Sequence, residues 1–192
     1  MLNSIYTRKL RQNCEKSNLL FRPIVKKNLV LLGMMGVGKT TLGKIIAKKQ
    51  GLEFIDTDTN IEKSNLMTIN EIFKEKGEKF FRIKEEIEVV KCLKKNNCVI
   101  ALGGGAFMSS KIRATVLKSA ISIWLHLDLK VLTQRIKWNQ KRPLLQNTNT
   151  RKKIEDLFSK RKDFYKLADY KIICDKLSKE YLVKRIIDLY EN

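Results

Sequence analysis

No stretch of this 192-residue chain is apolar for anything near the ~18 residues of a membrane-spanning helix, so none is expected. Cysteine is scarce and scattered. Cys14, Cys92, Cys98 and Cys174 form no C-x-x-C pair and no zinc-like spacing, which reads as reduced, mostly packed thiols in a cytoplasmic protein. There is no hydrophobic signal core at the N-terminus. Residues 1–27 carry seven Lys/Arg and one acid, and read as a basic extension with helical character; Glu15 and the shortage of serine fit a transit peptide poorly. Acid is also in short supply: 20 Asp+Glu against 40 Lys+Arg leave a net charge of +20. A dedicated polyanion site would be a local cluster. Here the lysines are spread along the whole chain and no RNA- or DNA-binding motif is visible. The charge reads as a lysine-coated surface that suits small anionic ligands, with no nucleic-acid partner.

Apolar residues make up 43% of the chain, enough for one buried core. Short β-branched runs alternate with longer amphipathic stretches. Asn28–Gly33, Glu53–Thr57, Cys98–Leu102, Ile121–Leu127 and Lys171–Cys174 read as strands covered on both faces. Helical periodicity fills Lys39–Gln50, Glu78–Lys95, Ser109–Ser119, Leu129–Lys137, Thr150–Leu167 and Ser178–Tyr190. This alternation predicts right-handed crossovers and an α/β fold with a central five-stranded parallel sheet and helices on both faces, forming one domain over 28–192. The polar stretch Lys137–Lys153 holds one of the two prolines and is predicted to be mobile.

Gly33-Met-Met-Gly-Val-Gly38-Lys39-Thr40 fits G-x-x-x-x-G-K-[ST] between a strand and a helix. Glycines let the backbone turn and present its N–H groups, which join the positive end of the helix dipole as an anion nest. Lys39 is placed for the outer phosphates of a nucleotide and Thr40 for Mg²⁺. The motif specifies a nucleotide but not a reaction. Asp56 and Asp58 fall at the end of the second strand. Residues two apart in a strand share a face, so one acid can hold Mg²⁺ and the other handle a hydroxyl. Gly103, Gly104 and Gly105 follow the third strand, where backbone can come close to a ligand. Arg82 and Glu85 lie three apart on one helix face, Arg142 sits in the polar stretch, and Arg161 lies on a late helix. Taken singly, each arginine reads as a surface residue. His126 and Trp124, on a strand, read as structural.

Together and in this order, "GMMGVGKTTLGK", "FIDTDTNIE", "GEKFFRIKEE", "ALGGGA", "RPLL" and "RKDFYKLADY" resemble the shikimate kinase family over about Asn28 to Tyr190. The resemblance implies a three-layer P-loop kinase fold with a lid at about 137–153. It implies transfer of phosphate from MgATP to the 3-hydroxyl of shikimate, on the route to chorismate and aromatic amino acids. It further implies that Gly36, Val37, Gly38, Lys39, Thr40 and Thr41 cradle ATP, with Arg135 near adenine and Arg142 reaching the phosphates from the lid. Thr40 and Asp56 would hold one Mg²⁺. Asp58 would bind the substrate hydroxyls and act as base. Arg82 and Arg161 would grip the carboxylate, beside Gly103, Gly104 and Gly105. A cytoplasmic monomer is expected. The adenine loop is weakly matched around Lys176–Lys179. Gluconate or nucleotide kinases on the same fold are the competing enzymes, and a non-catalytic binding module is the competing class. The intact Lys39, Thr40, Asp58 and Arg142 argue against the latter.

Overall fold

The computed structural model describes residues 27–137 and 150–191. In chain order the elements are β1 (Asn28–Leu32), α1 (Lys39–Gln50), β2 (Glu53–Asp56), α2 (Thr57–Asn65), α3 (Ile69–Glu75), α4 (Gly77–Leu93), β3 (Cys98–Ala101), a 3₁₀ turn (Ala106–Met108), α5 (Ser110–Ser119), β4 (Ala120–His126), α6 (Leu129–Lys137), α7 (Thr150–Tyr165), β5 (Tyr170–Ile173) and α8 (Lys179–Glu191). The expected extension before Lys27 and most of the expected lid lie outside the described residues.

Five parallel strands are ordered β2-β3-β1-β4-β5. The burial pattern follows that order. NLVLL of β1 and CVIA of β3 are buried throughout, whereas the edge strands β2 and β5 expose residues. Continuous apolar runs suit the middle of a sheet covered by helices on both faces, as the sequence predicted for the inner strands. The reading of β2 and β5 as covered on both faces needs correction, because each stands at a sheet edge with only one neighbouring strand. One polar residue enters this interior at the start of β1. The Asn28 amide donates to Lys95 O at 2.6 Å and its carbonyl accepts from Cys98 N at 3.0 Å, which fixes β1 against the entry to β3. At the other side of the sheet, Asp169 accepts from the Ser122 hydroxyl at 2.6 Å and from the Ser122 N–H at 2.8 Å, setting where β5 joins β4.

The segment between β2 and α4 departs from the sequence reading, which assigned it no helix. Asp56 N-caps α2 by accepting from Asp58 N and Thr59 N. Thr68 and Glu71 form a reciprocal capping box that opens α3. With α4 these two short helices enclose a satellite core of Ile61, Ile72 and Phe81, flanked by Phe73 and Ile69 and separate from the main core. They form one wall of the cleft above the carboxyl ends of the strands, the usual ligand crevice of a parallel sheet.

Candidate active site

The loop after β1 makes two demands on glycine. Gly33 has φ +135, and a Cβ there would lie 2.4 Å from Leu125 O on β4. Gly38, the N-cap of α1, has φ +106. Side chains rarely adopt either conformation. The Lys39 ammonium donates to Gly33 O at 2.9 Å and Met34 O at 3.1 Å, so it lies over the loop it belongs to. The start of α1 points its free N–H groups to the same place, which makes the loop an anion nest.

Thr40, in the first turn of α1, donates its hydroxyl to Asp56 Oδ2 at 2.7 Å. A hydroxyl and a carboxylate oxygen at that separation are hard donors of the kind Mg²⁺ takes, so the residues fit the ion. The other Asp56 oxygen caps α2. The strand argument for the acid pair therefore needs correction. Asp56 ends β2, but Asp58 is in the first turn of α2, and the two are brought to one cleft by the strand-to-helix corner.

Three successive glycines follow β3, and none has positive φ. Their requirement is space. A Cβ on Gly103 would lie 2.5 Å from Asp58 Oδ1 and 2.8 Å from Glu85 Oε1. One on Gly104 would lie 3.3 Å from Arg161 Nη1, and one on Gly105 2.7 Å from Arg82 Nη1. Each glycine thus seats a different charged group. The expectation that backbone comes close to a ligand here rests on this packing rather than on an unusual turn.

The two arginines are held differently. Arg82 donates to Glu85 Oε2 at 2.7 Å and to Glu78 Oε1 at 3.0 and 3.2 Å. Burial acts to lower its pKa, but the two carboxylates outweigh it and raise it. Glu85 is only 2% exposed, and burial pushes its pKa up against the pull of Arg82. Arg161, on α7, is 4% exposed. Among the described residues no carboxylate ion-pairs with it and its Nε has no hydrogen-bond partner; Met34 Sδ lies 4.0 Å from Nη1. A buried guanidinium without a counter-ion is expensive unless an anion arrives. Asp58, Glu85, Arg82 and Arg161 open on a cleft of about 1070 Å³ shared with the phosphate loop. One end of the cleft is a nest for phosphate, and the other is a cationic pocket with an adjacent acid.

A family model described as shikimate kinase matches residues 35–191. The chain belongs to the shikimate kinase family. The shikimate kinase of Bartonella quintana (strain Toulouse) is 39% identical over 173 residues, 90% of this chain and 82% of that protein. That of Ruegeria pomeroyi is 38% identical over 162 residues, 84% and 83% of the two chains. Among solved structures, shikimate kinase from Acinetobacter baumannii in complex with shikimate matches with a TM-score of 0.82 at 33% identity, over 85% of this chain and 92% of that one. A gluconokinase from Sinorhizobium meliloti shares the fold alone, with a TM-score of 0.55 at 15% identity over 88% and 95% of the chains.

Measured against that family, the structure gathers Gly36, Gly38, Lys39, Thr40, Thr41, Asp56, Asp58, Arg82, Gly103, Gly104, Gly105 and Arg161 around one cleft. Val37 is buried under the loop. Arg135 stands exposed on α6, close enough for its charge to act on the Cys174 thiol at the end of β5. Arg142 lies outside the described residues. Among the residues at the cleft that sequence reasoning did not single out are Phe73, Ile69 and Asn70 of the α3 wall, with Tyr165 behind Gly104. The T-x-x-E pattern at Thr68–Glu71 was the available signal for α3. Tyr165, one turn after Arg161, was the signal for the other.

Proposed function

We infer that the protein transfers the terminal phosphoryl group of ATP to the 3-hydroxyl of shikimate, giving shikimate 3-phosphate and ADP. The observation that carries the reading is Arg161, a buried guanidinium with no ion pair among the described residues, facing Arg82 and Asp58 across a glycine turn beside a phosphate loop. A carboxylate and neighbouring hydroxyls on one small ring satisfy all three groups at once. The match to the shikimate kinase family supports the same acceptor.

In this reading Gly36 to Thr41 hold the ATP phosphates, and Lys39 moves from its own loop carbonyls onto the transferring phosphoryl group. Thr40 and Asp56 would hold one Mg²⁺, which when bound neutralises charge on the phosphates. Asp58 accepts hydrogen bonds from the substrate hydroxyls and takes the proton of the attacking one. Arg82 and Arg161 clamp the carboxylate, and that clamp orients the hydroxyl towards the phosphate loop. Gly103 to Gly105 let the ring lie close to backbone. Phosphoryl transfer depends on such positioning and on charge stabilisation more than on covalent participation. Arg142 would close over the phosphates from its polar segment and exclude water, and Arg135 would lie near adenine. The protein acts as a cytoplasmic monomer in this reading. Among the described residues no helix is long and apolar enough to cross a membrane.

The test is ATP consumption with candidate acceptors. Shikimate should stimulate it strongly. Gluconate and nucleoside monophosphates, the acceptors of kinases that share this fold, should not. Equal or greater stimulation by either would overturn the assignment.

A further inference from the structure

Tyr165 is the last residue of α7, one helical turn after Arg161, and is 1% exposed. Its hydroxyl donates to the carbonyl of Gly104 and lies 3.8 Å from Met34 Sδ in the phosphate loop. The same sulphur lies 4.0 Å from Arg161 Nη1. The ring packs against Trp124 of β4 with centroids 5.8 Å apart. Burial pushes the phenol pKa up to about 12, against the downward pull of the Arg161 guanidinium, so the hydroxyl keeps its proton and remains a donor at any physiological pH.

That donation has a geometric consequence. A peptide unit is planar and trans, so its C=O and the following N–H point in opposite directions. With the Gly104 carbonyl drawn to Tyr165 on the buried side, the Gly105 N–H points the opposite way. Among the described residues neither the Gly104 nor the Gly105 N–H meets an acceptor, whereas the neighbouring Gly103 N–H is taken by the Thr57 hydroxyl at 3.1 Å and the Ala106 N–H by Gly103 O at 3.1 Å. Gly104 and Gly105 both line the cleft. A glycine peptide has little intrinsic reason to hold one orientation. Tyr165 supplies one.

We propose that Tyr165 is a positioning residue for the acceptor end of the site: through the Gly104 carbonyl it holds the Gly105 N–H towards the bound acid, and beside Met34 it backs the Arg161 guanidinium. It touches neither substrate nor the reacting atoms. The proposal rests on the reading of the acceptor as shikimate.

Tyr165→Phe keeps the ring and its packing and removes only the hydroxyl, with its donation to Gly104 O and its contact with the Arg161 guanidinium. The comparison is Tyr190→Phe. Tyr190 is also buried and also donates to a backbone carbonyl, Lys27 O at 2.8 Å, but at the start of β1, the end of the sheet away from the cleft. Loss of one backbone hydrogen bond predicts a shikimate Kd raised about threefold to tenfold in Y165F, with nucleotide Kd within about twofold of wild type. The KM for shikimate should rise more than kcat falls. Y190F should lower thermal stability without moving the shikimate Kd. The proposal is overturned if Y165F binds shikimate as wild type does, if it loses nucleotide affinity equally, or if Y190F reproduces its shikimate defect. Wild-type protein that does not bind shikimate overturns the acceptor reading and this role with it. Should Y165F fold poorly, wild-type protein answers by NMR: the Tyr165 hydroxyl proton should exchange slowly with and without shikimate, and fast exchange in the bound state would overturn the role.

Discussion

Two arginines that the sequence could not tell apart differ once their surroundings are known, and the difference shows in stability rather than in binding. Arg82 is ion-paired with Glu85 and Glu78, while Arg161 is buried without a carboxylate partner among the described residues. A charge-assisted hydrogen bond contributes roughly 1.5–3 kcal/mol, and each ~1.4 kcal/mol is tenfold in affinity. Arg82→Ala and Arg161→Ala should therefore each weaken shikimate binding about tenfold to a hundredfold, with ATP binding little changed. Stability should separate them. Arg82→Ala strands the buried Glu85 carboxylate and should lower unfolding free energy by about 1–3 kcal/mol, the lower range reflecting partial exposure of Arg82. Arg161→Ala removes a buried charge that has no ion pair among the described residues, which offsets the packing it loses, so it should destabilise the ligand-free protein less than Arg82→Ala does. Paired ligand titrations and denaturant unfolding of both variants check this. A large destabilisation by Arg161→Ala would mean that the apo pocket already neutralises the guanidinium. Residue types and order were legible in the sequence, as the gathering of Arg82, Arg161 and Asp58 shows. Their partners were not, because burial and ion pairing depend on which helix faces which loop.

At the scale of elements, the strands were the most legible part. A buried parallel strand is a short apolar run bounded by turn residues, and all five appear where the pattern predicted them. The helices α2 and α3 were not read. They are nine and seven residues long, too short for strong periodicity, and are held by caps and a satellite core. Asp56 shows how much one cap carries. One oxygen starts α2, which bears Asp58, and the other receives the Thr40 hydroxyl. Two substitutions pull these tasks apart. Asn caps a helix about as well as Asp, whereas Ala costs about 0.5–2 kcal/mol. Asp56→Asn should thus melt near wild type, and Asp56→Ala should melt about 2–6 °C lower. Both should lose the increase in nucleotide affinity that Mg²⁺ gives to wild type. Nucleotide titrations with and without Mg²⁺, beside thermal melts, decide it. An Asn variant with the full metal-dependent increment would remove Asp56 from the metal site.

For the molecule as a whole, the single histidine offers a clean probe of acid stability. His126 ends β4 between Trp124 and Phe158, with ring centroids 5.2 and 5.6 Å away, and its buried Nδ1 has no hydrogen-bond partner among the described residues. Burial, helped by the Lys171 charge, lowers its pKa below the usual 6.5 despite Asp175 and Asp128. The folded state therefore prefers the neutral ring, and the unfolded chain binds more protons below pH 6.5. Stability from this group is full above that pH and is lost as pH falls towards the folded-state pKa. His126→Gln should flatten the decline in melting temperature between about pH 7 and 5.5; an unchanged slope would assign the decline to other groups.

The glycine turn after β3 has a different kind of consequence. Asp58, Arg82 with Glu85, and Arg161 arrive from three helices far apart in sequence, and each occupies the space that a Cβ would take on one of three adjacent residues. Every other amino acid carries a Cβ, so no first mutational step at Gly103, Gly104 or Gly105 leaves all of these charged groups where they are. A lineage that varied the turn while keeping this acceptor would have to re-seat those side chains at the same step. The turn and the groups that recognise the acid are thereby tied together, and change in one is felt by the other.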